Sequence, residues 1–124
     1  MNVIYCRVAQ QSEESINYQR YQCINFLKSK GISIDKFYID NGFSANKTDR
    51  PQLVNMINNL DNIESITILN VDRLYRDSSK LLEFCKLLKR KNIALYDISS
   101  GINVIDTYIN GMLENLPRYK GFNI

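Results

Sequence analysis

The chain contains no histidine. That gap removes the Ser/His and Cys/His arrangements of nucleophilic catalysis and leaves little from which to build a zinc site. Cysteine is scarce as well: Cys6, Cys23 and Cys85 are an odd number without a CxxC spacing, which weakens a metal site further. Each sits in an apolar pattern, so all three are expected as buried structural thiols. No glycine-rich cradle separates the first strand-like run from the helix after it, which disfavours an unrelated small phosphate-binding α/β protein. Apolar runs are short, none approaching the roughly 20 residues that cross a bilayer. Met1 leads into strand-like sequence rather than a signal-peptide pattern, so a cytoplasmic protein without membrane contact is expected. Any chemistry must run on hydroxyls, carboxylates, Arg and Lys.

What is present is ordinary for a globular domain: 124 residues, 44% hydrophobic and 23% charged, the size of one core. The net charge of +3 permits a polyanionic partner without demanding one. Residues 3–8 are mostly β-branched or aromatic and read as a buried strand, with Arg7 as its anomaly: a charge there either snorkels to the edge or awaits an anion. Ser12, Glu13 and Glu14 offer a cap and first-turn acids to a helix striped by Ile16, Cys23, Ile24 and Leu27 and closed by Lys28, Lys30 and Gly31. A second strand is expected over 32–39, with Asp40 at its end. A polar loop runs from Asn41 to Asp49, the kind of irregular stretch that often carries function. Pro51 then opens a helix on Leu53, Met56, Ile57 and Leu60. A third strand over 65–71 is followed by Asp77, Ser78 and Ser79, which cap a helix on Leu81, Phe84, Cys85 and Leu88. A fourth strand over 93–98 precedes a last helix striped by Ile105, Tyr108, Ile109 and Met112 and stopped near Pro117.

Four alternations of strand and helix call for an α/β three-layer sandwich with a mostly parallel sheet of four to five strands. No repeat or linker interrupts it, so residues 1–124 are read as one domain. Right-handed crossovers place the ends of the first three strands along one edge. Arg7, Asp40, Arg50, Arg73 and Arg76 would converge there, where α/β sheets usually meet their ligands. Should the segment after the third strand be helical, Arg73 and Arg76 share a face at i, i+3, Leu74 points inward and Asp72 orients the first arginine. Paired guanidinium forks suit phosphate oxygens.

Tyr5-Cys6-Arg7-Val8, Gln19, Asp40-Asn41-Gly42-Phe43-Ser44, Asp49-Arg50-Pro51 and Asp72-Arg73-Leu74-Tyr75-Arg76-Asp77 occur in that order. The set resembles the catalytic domain of serine site-specific recombinases, the resolvase/invertase family, and its loop wording is most similar to the large-integrase branch. The resemblance implies a resolvase-like fold and DNA cleavage by a serine hydroxyl, leaving a 5′-phosphoseryl link and a free 3′ hydroxyl, with no metal or nucleotide cofactor. It also implies that Arg7, Arg50, Arg73 and Arg76 bind the phosphate and stabilise its transition-state charge. Tyr5 and Asp72 would position the site, with Asp40 nearby.

Two departures qualify it. The family's nucleophile lies two residues after the arginine of the first strand, where this chain has Ala9, and a methyl group cannot attack phosphorus. Ser12, and less so Ser15, is the alternative nucleophile; a further helical turn shifts an oxygen by roughly 5 Å, more than attack geometry tolerates. Family members also continue through a long dimer-forming helix into a DNA-binding domain, whereas this chain is expected to stop after the start of that helix. DNA contact from it would be weak, non-specific and salt-sensitive. The implied roles are a recombinase catalytic domain silenced at Ala9, or a non-catalytic module that forms a homo-oligomer or pairs with an intact recombinase.

Overall fold

Strand β1 (Asn2–Val8) divides its side chains between two cores. Val3 and Tyr5 join one, Ile4, Cys6 and Val8 the other, as the two-residue period of a strand buried on both faces requires. The computed structural model describes residues 1–46 and 49–114, with side chains through residue 111. In chain order, β1 is followed by α1 (Glu13–Ser29), β2 (Lys36–Asn41), α2 (Pro51–Asn58), β3 (Ser65–Ile68), α3 (Ser78–Arg90), β4 (Ala94–Asp97), β5 (Ile102–Asn103) and α4 (Ile105–Glu114).

The sheet order is β2-β1-β3-β4-β5. The first four strands are parallel, and β5 runs antiparallel to β4. Helix α1 covers one face through Ile16, Cys23 and Leu27. Helices α2 and α3 cover the other through Leu53, Met56, Leu81, Phe84 and Leu88. This is the expected three-layer α/β sandwich. Because β1 crosses to β2 in one direction and β3 to β4 in the other, the sheet has its topological switch point between the carboxyl ends of β1 and β3.

Local chemistry sets the boundaries. The Ser12 hydroxyl accepts the Ser15 N–H at 3.1 Å, and Gly31 leaves α1 with φ +71°. The Asp77 carboxylate accepts the N–H groups of Ser79 and Lys80. Strand β2 starts later than the sequence pattern suggests: Ile32 and Ile34 pack beneath α1, but pairing begins only at Val3 opposite Lys36. Strand β3 is also shorter than expected. It ends at Ile68, and Val71–Arg73 form a single 3-10 turn. The stripe of α4 is largely used internally, since Ile105 is buried and Tyr108 and Ile109 pack on the larger core. Met112's side chain and Pro117 lie outside the described residues. All three thiols are buried, and burial raises Cys6 to about 12 and Cys85 to about 11, which leaves them unreactive. Among the described residues no helix is long and apolar enough to cross a membrane.

Candidate anion site

The short β3 leaves the tip of β1 without a strand on that side. Beyond Ile4, opposite Thr67, β1 has no β3 partner, yet its buried peptide groups still require hydrogen bonds. Gln19 of α1 supplies them with its side-chain amide. Its Oε1 accepts the Arg7 N–H at 3.2 Å, and its Nε2 donates to the Arg7 carbonyl at 2.9 Å. The Arg73 Nη1 donates to the same carbonyl at 2.9 Å.

The Arg7 side chain is only 1% exposed and is held by backbone alone. Its Nε donates to the Arg73 carbonyl, Nη1 to Phe43 and Nη2 to Asp72, at 2.8 to 2.9 Å. The turn that delivers Phe43 passes through Gly42 at φ +98°, a conformation that disfavours a side chain. Arg50, 0% exposed, donates to the carbonyls of Arg73 and Leu74 and to the Tyr5 hydroxyl. Its guanidinium lies 5.6 Å from the ring centres of both Tyr5 and Tyr75, within cation–π range. The Tyr5 hydroxyl itself donates to Asp40 Oδ2 at 2.7 Å. Burial holds the Tyr5 pKa well above its ordinary value, so it remains a donor. Asp40 in turn accepts the N–H groups of Gln52 and Leu53; it caps α2 from the end of β2, where Arg50 at the cap position makes no side-chain cap.

Arg73 is partly buried and Arg76 exposed. They do not share a helical face, because the chain between the 3-10 turn and α3 is irregular. Leu74 does point inward, with no exposure. Asp72 touches Arg7 through its carbonyl, and its residue is exposed. Ala9 is exposed directly after β1. Ser12 is engaged as the cap of α1, and its N–H is tied to Asn41 Oδ1 at 2.9 Å.

Arg7, Arg50 and Arg73 are nevertheless joined through the Arg73 carbonyl and the Arg7 carbonyl, and the charge of Arg76 also reaches Arg7. Desolvation first, then the charges of Arg50, Arg73 and Arg76, pull the Arg7 pKa down to about 10. Guanidinium groups do not relieve such repulsion by losing a proton near neutrality, so an anion is the natural relief. The ion pairs among the described residues are Lys89 with Asp106 and Lys91 with Asp61, both remote from this cluster in sequence. Within that set no carboxylate pairs with Arg7, Arg50, Arg73 or Arg76, and no group of three His, Cys, Asp or Glu gathers as metal ligands. The sequence had marked the arginines. It did not reveal that carbonyls of residues 43 and 72–74 would hold them, since every residue carries a carbonyl. Asn41, which clips Ser12 and Glu13, and Tyr75 stood inside recognisable motifs and were missed as contributors.

Fold and site together define an α/β domain that gathers positive charge at its switch point. The family described as "Resolvase, N terminal domain" matches residues 2–116, and the chain belongs to this family of serine recombinase catalytic domains. No match is found among curated proteins. Among solved structures, the fold resembles the N-terminal catalytic domain of TP901-1 integrase, with a TM-score of 0.80 and 23% identity over 98% of this chain and 95% of that one. A resolvase family site-specific recombinase from Streptococcus pneumoniae gives 0.71 and 18%, over 98% and 93%. The C-terminal catalytic domain of ISC1926 TnpA, an IS607-like serine recombinase, gives 0.72 and 21%, over 78% and 66%.

Proposed function

We propose that this domain holds a DNA phosphodiester against Arg73 and Arg76, with Arg7 and Arg50 as a buried field behind them, and that it does not cut the strand because position nine is alanine. One observation carries the reading: shared backbone bonds draw Arg7, Arg50 and Arg73 together around the end of β1, the charge of Arg76 also reaches Arg7, and none of the four has a carboxylate partner among the described residues. Such a cluster attracts a phosphate and favours negative charge building on its oxygens. In family chemistry a serine oxygen bonds to phosphorus as the 3′ oxygen leaves and takes up a proton. Ala9 has no oxygen to supply. Ser12 does not replace it in this reading, because its hydroxyl caps α1.

The test is Ala9→Ser, joined to a sequence-specific DNA-binding module and given a nicked duplex bearing that module's site. The expected result is a covalent protein–DNA adduct that survives denaturing electrophoresis, with none from the alanine form. Absence of an adduct from the serine form would remove the claim that the cleavage geometry persists. An adduct from the alanine form that disappears with Ser12→Ala would transfer the role to Ser12.

Pairing with an intact recombinase is the second reading, favoured by a complete arginine scaffold around an exposed alanine. Light scattering with and without such a recombinase tests it. Unchanged masses in the mixture would dismiss it.

A further inference from the structure

We propose that the crevice between the ends of β1 and β3 is a subsite for the nucleobase adjoining the bound phosphate, with Tyr18 as its stacking wall. This rests on the phosphodiester reading above. The crevice measures about 330 Å³, and its lining includes Val8, Glu14, Ser15, Tyr18, Leu69 and Arg73. It lies on the α1 side of the switch point, where sheets of this topology receive ligands. Its size is at the lower end of the range for small-ligand sites.

Three features select a base. First, Tyr18 is 56% exposed although the core stripe of α1 is already complete with Ile16, Gln19, Cys23 and Leu27. An aromatic ring left out of the core and turned into a concavity is a platform on which any base can stack. Second, Val8 and Leu69 give the crevice apolar surface, which suits a flat ring and not an ion. Third, Glu14 and Arg73 line the same space. The carboxylate excludes a phosphate and accepts N–H groups of a base edge, whereas Arg73 belongs to the arginine cluster. Its Nη1 is bound to the Arg7 carbonyl, and its Nη2 donates to no atom among the described residues. One nucleotide can therefore place its phosphate on the arginine side and its ring on Tyr18.

Fluorescence anisotropy with a labelled short oligodeoxynucleotide, and with the same strand carrying abasic tetrahydrofuran residues, tests this. The base-bearing strand is expected to bind roughly ten-fold more tightly, the size of one stacking contact. Tyr18→Ala should erase that advantage and leave the abasic affinity unchanged, and Tyr18→Phe should keep it. Tyr21, also exposed at 62% on α1 but outside the crevice lining, is the control, and Tyr21→Ala should change neither strand. Equal affinity of the unaltered chain for both strands overturns the subsite and leaves the phosphate reading standing. An equal loss in Tyr21→Ala also overturns it, since stacking would then be general to α1. Failure of both strands to bind at low salt overturns the subsite and the phosphate reading together.

Discussion

Arg7 and Arg50 carry the same charge as Arg73 and Arg76 but are used differently. The inner pair is almost without solvent contact, and its donors are spent on carbonyls and the Tyr5 hydroxyl. The outer pair has few internal bonds: Arg73 reaches the Arg7 carbonyl and Asn70, and Arg76 is exposed. The inner arginines thus act as part of the fold. They tie the loop after β3 to the ends of β1 and β2, and they impose a positive potential that the outer arginines bring to the surface. Arginine suits both tasks because its fork satisfies several carbonyls while retaining its charge.

The strongest test of that division is Arg50→Leu. It strips donors from the carbonyls of Arg73 and Leu74 and from Tyr5, while relieving repulsion on Arg7. Lost bonds to a buried charge outweigh the relief, and urea unfolding should show a loss of about 3 kcal/mol. A stability equal to that of the parent would mean that the inner pair is not structural. Next in size is Tyr5→Phe, which keeps the ring beneath Arg50 but removes the link to Asp40. A loss of about 1.5 kcal/mol is expected in the same assay; no change would assign the capping of α2 to Asp40 alone. The smallest effect on stability belongs to Arg76→Gln, within about 0.5 kcal/mol. Its effect should appear in DNA binding, where the slope of log affinity against log salt falls by about 1. An unaltered slope with full stability would place Arg76 away from the phosphate.

Much of this architecture was legible in the sequence. Helices α2 and α3 followed from Pro51, Asp77 and their apolar stripes, and β1 from its β-branched run, because those signals are local and agree with the tertiary packing. The order of motifs marked Arg7, Arg50 and Arg73, which hydrogen bonds join at the end of β1. Their internal arrangement was not legible. Ile32 and Ile34 look like strand residues because burial under α1 selects the same side chains as a strand does. The early end of β3 had no marker, since Leu69 and Val71 would suit a continuing strand equally well. With that end unseen, Arg73 and Arg76 were expected on one helical face, and neither the part played by Gln19 nor the carbonyl cradle could be deduced.

The fastening of the β1 tip by Gln19 and Arg73 has a mechanical consequence. On its β2 side the strand is zipped to Val8 opposite Asn41, but on the other side two flexible side chains replace a rigid ladder. Such a latch can be released without unzipping neighbouring strands. An anion docked on the Nη2 of Arg73 would share that guanidinium with the Arg7 carbonyl, so the ligand and the backbone leading to residue nine would be held by the same group.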